Sequence, residues 1–245
     1  MISTTETTNV QKASARTAGW LYLIVVVTGF FSLAYVPSQL TVPGNAAATV
    51  SRIVASESLF RCGIVAGLIC YTAFLLLPFA LYRLLSPVNR NVAVLMVAFA
   101  VASVPISFLN TLNKLDILSL LSGADYLQAL TADQLQAQVM LKLASYGNGL
   151  LVLKVFWGLW LLPFGYLVFK SGFLPRILGI LLMIGCLGYL IDFFGRALLP
   201  GYTDTPIGRF VRLPAALGEI GTCLWLLIVG VHKSKDPAVP LHDAA

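Results

Sequence analysis

The sequence predicts an all-α protein: a polytopic transmembrane helical bundle of about six spans. Two observations carry this reading. Of 245 residues, 58% are hydrophobic and only 11% are charged. A soluble domain carries about 25% charged residues, so most of this surface must face something other than water. The apolar residues also fall in six continuous runs, each close to the ~20 residues a helix needs to cross a bilayer. None shows the strict alternation of a membrane β-strand.

Residues 1–17, "MISTTETTNVQKASART", form a polar N-terminal segment expected to be mobile. The first run, 18–36, is longer than the apolar core of a signal peptide, and Pro37 follows it instead of a small-residue cleavage site. It is read as a retained first span. The remaining spans are expected at 58–82, 92–113, 147–169, 176–199 and 211–231. Between the third and fourth, Thr131 followed by Gln134 has the spacing of a capping box, which would open a short amphipathic helix at the membrane surface. The tail 232–245, "HKSKDPAVPLHDAA", is polar and expected to be disordered. The transmembrane domain is therefore 18–231.

Direction follows from the short connections. Lys12 and Arg16 precede span one, Arg83 and Arg90 flank the turn after span two, Lys170 and Arg176 flank the turn after span four, and Lys233 and Lys235 follow span six. The two turns hold no acid, which places both termini in the cytoplasm. The net charge of +6 is accounted for by these flanking positions and does not point to nucleic acid. The expected partners are membrane lipids and a small polar ligand, with oligomeric state left open.

The stretch "LLPFALYRLLSPVNR" (76–90) echoes "LLPFGYLVFKSGFLPR" (161–176), pairing Pro78 with Pro163, Phe79 with Phe164 and Ser86 with Ser171. Spans two–three and four–five would then repeat one hairpin, as in many transporters. Chance recurrence of Leu-Leu-Pro-Phe in Leu-rich helices is the alternative. Gly63-xxx-Gly67 and Ala98-xxx-Ala102 are expected to allow close helix approach, and Pro78, Pro105, Pro163 and Pro214 to kink their helices. Trp160 falls near mid-membrane, as core or as pocket wall.

The strongly polar intramembrane residues gather at one side. Glu57 and Arg61 begin span two, and Asn110, Lys114 and Asp116 end span three. Asn148 and Lys154 lie in the outer half of span four, Asp192 and Arg196 end span five, and Glu219 lies in the outer half of span six. Such residues are costly in lipid and face a bundle interior or a wet cavity. Glu57–Arg61 and Asp192–Arg196 have the favourable acid-first i,i+4 spacing. The candidate binding residues are Glu57, Arg61, Asn110, Lys154, Asp192, Arg196 and Glu219, lining an outward-facing cavity for a small polar or zwitterionic solute. Arg61 and Arg196 would meet anionic groups, and Asp192 or Glu219 would be the protonatable residue. Lys154 is expected to pair with Asp192 or Glu219 rather than to form a Schiff base.

The leading function is binding or transport of that solute. An intramembrane enzyme using the same carboxylates as acid and base, or a structural subunit whose ion pairs hold helices in register, are the alternatives. No catalytic residue, cofactor or metal is expected. His232 and His242 are the only histidines, and no HExxH, GxSxG, P-loop or dinucleotide glycine motif occurs. Cys62, Cys70, Cys186 and Cys223 lie in apolar runs without a CxxC and read as small buried residues.

The motifs "ESLFRCGIVAGLI", "LYRLLSPVNR", "LLSGADYLQAL", "FWGLWLLPFGYLVFKSGFLPRILGILL", "GYLIDFF" and "PAALGEI…LWLLIVGV" cover roughly 16–232. Together they resemble a bacterial multi-pass family catalogued as domain of unknown function 4386. The resemblance implies a six- or seven-span inner-membrane protein and supplies no activity. Its matching positions include Glu57, Arg61, Asn110, Asp192 and Glu219. Where the family tends to read Asp-Leu-His, this chain has Ala144-Ser145-Tyr146, and Lys142 and Lys154 are unusual. A function resting on that histidine does not carry over.

Overall fold

The computed structural model describes residues 4–231, with side chains from Ala13 onward. The tail 232–245, expected to be disordered, lies outside the described residues. Among the described residues there is no strand, and six helices are long and apolar enough to cross a membrane: Ala13–Leu40, Glu57–Leu85, Arg90–Leu120, Ala132–Lys170, Arg176–Leu198 and Pro206–Ile228. They correspond one for one to the expected runs. The polar N-terminal segment is not separate in the backbone, because the first helix already begins at Thr4.

The spans pack in chain order as a closed ring, each against the next and the sixth back against the first. Across the ring, aromatic side chains from spans one, two and four meet. Trp160 is 1% exposed; it stacks on Phe164 with centroids 5.0 Å apart, meets Phe74 edge-on at 5.2 Å, and lies 6.4 Å from Tyr22. Trp160 is thus core, and the middle of the ring is filled by rings rather than left as a channel.

Prolines mark the irregularities. Pro163 lacks an amide hydrogen and its ring crowds the carbonyl four residues back; span four accordingly breaks at Trp160 between Ala132–Leu159 and Leu161–Lys170. Pro214 sits in the first turn of Leu213–Ile228 and marks a break in span six after Pro206–Phe210 rather than a kink within a helix. Pro37 follows a π-helical turn, Phe31–Tyr35, in span one. Pro78 and Pro105 are accommodated inside unbroken helices. The turns after spans two and four lie at the same end of the bundle, but span two is continuous where span four is broken, so the hairpin echo does not extend to helix shape.

Two elements depart from expectation. The capping box at Thr131 and Gln134 is present, but the helix it opens is not short: it runs unbroken from Ala132 into span four. At 39 residues, span four is about 58 Å long at 1.5 Å per residue, nearly twice a ~30 Å hydrocarbon core. A short helix, Ala46–Ala55, not expected from the sequence, joins spans one and two; Asn45 caps it by accepting from the Ala48 amide at 2.9 Å, and its Ile53 is buried.

The two small-residue motifs separate. A Cβ on Gly63 would meet Val36 at 2.9 Å and one on Gly67 would meet the Ser32 hydroxyl at 2.9 Å, and that hydroxyl donates to the Gly63 carbonyl at 2.7 Å. Spans one and two touch there backbone to side chain. Ala98 and Ala102 are instead exposed and line an open apolar groove with Phe79 and Val94. Among the cysteines, Cys62 is exposed on span two, while Cys70, Cys186 and Cys223 are buried. Gly67→Val is expected to destabilise by about 1–3 kcal/mol through overpacking, whereas Ala102→Val is expected to be neutral. Thermal unfolding of both variants in one detergent checks the contrast.

Candidate functional site

One end of the bundle carries the connections 41–56, 121–131 and 199–205 and nearly all its intramembrane charge. The centre of that charge is Asp192, whose side chain has no exposed surface. Three glycines bring its neighbours close. At Gly158, one turn below Lys154, a Cβ would meet Tyr189 at 2.9 Å, which draws span four onto span five. A Cβ on Gly188, one turn before Asp192, would collide with the Val211 carbonyl, so the break in span six presses directly on span five. Gly195, one turn after Asp192, lies beneath the Tyr202 ring.

These contacts place three cations on one carboxylate. Lys154 Nζ lies 2.6 Å from Oδ2 of Asp192, Arg196 Nε lies 3.0 Å from Oδ1, and Arg212 Nε lies 3.4 Å from Oδ2. The bases come from spans four, five and six, and their exposure rises outward: 13% for Lys154, 30% for Arg196 and 44% for Arg212. One negative charge answers three positive ones, so the group carries two positive charges over. Lys154 and Arg196 also wall an open cavity of about 410 Å³ whose other lining includes Asn148, Gly201, Tyr202 and Thr203. Gly201, at φ +75°, takes the left-handed turn that folds 199–205 back over span five. It buries Tyr202, whose hydroxyl has no hydrogen-bond partner among the described residues.

The seven candidate residues do not form one site. Lys154, Asp192 and Arg196 converge as described. Glu57 and Arg61 pair with each other at 2.6 Å, but their side chains are 51% and 59% exposed at the start of span two, and neither lines the cavity. Asn110 is buried between spans three and four, where it donates to the Tyr146 carbonyl at 3.0 Å and occupies the space beside Gly149. Glu219 accepts from the Tyr22 hydroxyl at 3.3 Å and makes no ion pair among the described residues. Asp116 pairs with Lys142 at 2.8 Å. Lys154 pairs with Asp192, as one of its two expected partners.

Arg212 and Tyr202 were missed. Arg212 stands beside Pro214 at the head of span six, as Arg61 stands at the head of span two, and that position is its only signal. Tyr202 lies in a connection that looks like an ordinary loop. No group of three or more His, Cys, Asp or Glu side chains suited to a metal occurs among the described residues.

Comparison with known proteins gives a consistent picture. A family model described as Domain of unknown function (DUF4386) matches residues 17–230. An uncharacterized protein of the archaeon Archaeoglobus fulgidus is 30% identical over 161 residues, covering 66% of this chain and 79% of that protein. No solved structure matches.

Removing one member of a buried ion group is costly because its partners are left uncompensated. Asp192→Asn leaves three clustered cations without a counter-charge, while Lys154→Gln leaves the carboxylate two partners and Arg212→Gln touches the most exposed one. The expected order of destabilisation is Asp192→Asn, then Lys154→Gln, then Arg212→Gln. The first should approach about 3 kcal/mol and the last should stay below about 1 kcal/mol. Denaturation midpoints of the three variants, measured together, check the order.

Proposed function

We propose that this protein, which belongs to the family described as Domain of unknown function (DUF4386), binds a small anionic or zwitterionic solute in the cavity beside Asp192. The observation that carries the reading is the charge excess: three bases around one buried carboxylate, two of them lining a cavity. A charge excess held in a partly desolvated site favours a ligand of the opposite sign. Lys154 and Arg196 would meet its anionic group. Asp192 would hold both bases in place rather than touch the solute.

The cavity is lined no deeper on span four than Lys154 and does not reach the aromatic centre of the ring, so binding is the step this arrangement supports. Transport would require Trp160 and Phe164 to separate. The reading includes a bacterial inner membrane with both termini in the cytoplasm, supported by the lysines and arginines flanking the opposite end. The cavity would then open to the outside. The charged end would contact lipid headgroups.

Thermal stability of the detergent-purified full chain, measured against small carboxylates, phosphate esters and zwitterions, tests the binding. A solute at 100 times its Kd stabilises by about 2.7 kcal/mol. The gain should vanish in Lys154→Gln and Arg196→Gln and weaken with added salt. Stabilisation that persists in both variants would refute the site. For orientation, a cysteine at Thr203 in a Cys62→Ser background should react with a membrane-impermeant maleimide on whole cells; labelling only after lysis would reverse the topology.

A further inference from the structure

We infer a second binding site at Lys114, for a single-chain amphiphile with one anionic head, of the medium-chain carboxylate class. Lys114 is 5% exposed near the end of span three. Among the described residues it makes no ion pair and no hydrogen bond. Its ammonium faces the ring of Tyr146, whose centre lies 4.3 Å from Nζ. Asp116, two residues on, is committed to Lys142 at 2.8 Å. An ammonium has three donors, and a single ring face is a partial answer to a buried cation. Lys154, less deeply placed at this end, has a carboxylate partner in Asp192.

The same lysine lines a cavity of about 260 Å³ formed where spans one to four meet the short helix Ala46–Ala55. Leu33, Pro37, Ile53, Phe60 and Leu143 contribute apolar wall, and no acidic residue lines it. Leu33 belongs to the π-helical turn of span one, a distortion found often at functional sites. The cavity thus combines one uncompensated cation with apolar walls. One cation selects a monoanion. The volume, room for roughly nine waters, suits a chain of about eight carbons and is too small for both chains of a phospholipid. Lys114 would hold the carboxylate, with its alkyl chain against Leu33, Phe60 and Leu143. This site shares no residue with the Asp192 cavity.

Equilibrium binding of radiolabelled octanoate to the full chain in phosphatidylcholine nanodiscs, against empty nanodiscs, tests the inference. Saturable binding near one per chain is expected, displaced by unlabelled octanoate and not by octanol. Lys114→Met should weaken it at least tenfold, Lys114→Arg should retain it within a few-fold, and Lys154→Gln should leave it unchanged. Leu143→Trp, which fills the cavity and leaves the charge in place, should also abolish it, so the inference does not depend on one variant's folding. Absence of saturable binding to the wild type, equal displacement by octanol, or wild-type affinity in either Lys114→Met or Leu143→Trp would overturn it.

Discussion

Asp192 has no exposed surface, and basic side chains from spans four, five and six converge on its two oxygens at 2.6, 3.0 and 3.4 Å. A charge in that position is tolerated only if it is paired and its lone pairs are used. The requirement is met by a chain of close backbone contacts rather than by the side chains alone. Gly158, Gly188 and Gly195 each lie within about a turn of one of the charged residues, and each removes the Cβ that would hold a neighbour away. The arrangement of half the ring follows from keeping that carboxylate compensated.

The bundle divides along its axis into two chemical regimes. Toward the termini and the turns 86–89 and 171–175, the interior is a dry core of Tyr22, Phe74, Trp160, Phe164 and Leu-rich neighbours. Without a hydrophobic driving force between helices in lipid, that half depends on packing, and aromatic stacking with small-residue contacts supplies it. Toward the other end the interior holds the buried polar side chains of Asn110, Lys114 and Asp192, and two cavities open there. Depth in the bundle therefore sets the character of each half: one half holds the ring closed, and the other carries the buried charges and both cavities.

The two cavities differ in how their cations are balanced. Lys154 and Arg196 share a buried carboxylate and belong to a polar, hydrogen-bonding lining, which suits a small water-soluble anion. Lys114 has an aromatic face and otherwise apolar walls, which suits a ligand whose charge is confined to one end. Both follow from the same local accounting of charge and burial, applied to lysines only 40 positions apart in the chain.

Six spans, their order and the gathering of charge at one end were legible in the sequence, because hydropathy and length are local properties and alternate passage through a bilayer assigns each helix end to a side. The i,i+4 pairs Glu57–Arg61 and Asp192–Arg196 were legible for the same reason: helical geometry alone brings them together. The seven polar candidates could not be resolved into partners this way. Lys154 and Asp192 are 38 residues apart, and whether they meet depends on the rotation and depth of two helices, which the glycine contacts decide. Arg212 joined the group because span six breaks before Pro214 and leans on Gly188. Lys114 was left alone because Asp116 turns to Lys142, on a helix that the sequence divided in two and the folded protein does not. Pairing among residues distant in the chain is a property of how the helices pack, and only the tertiary structure decides it.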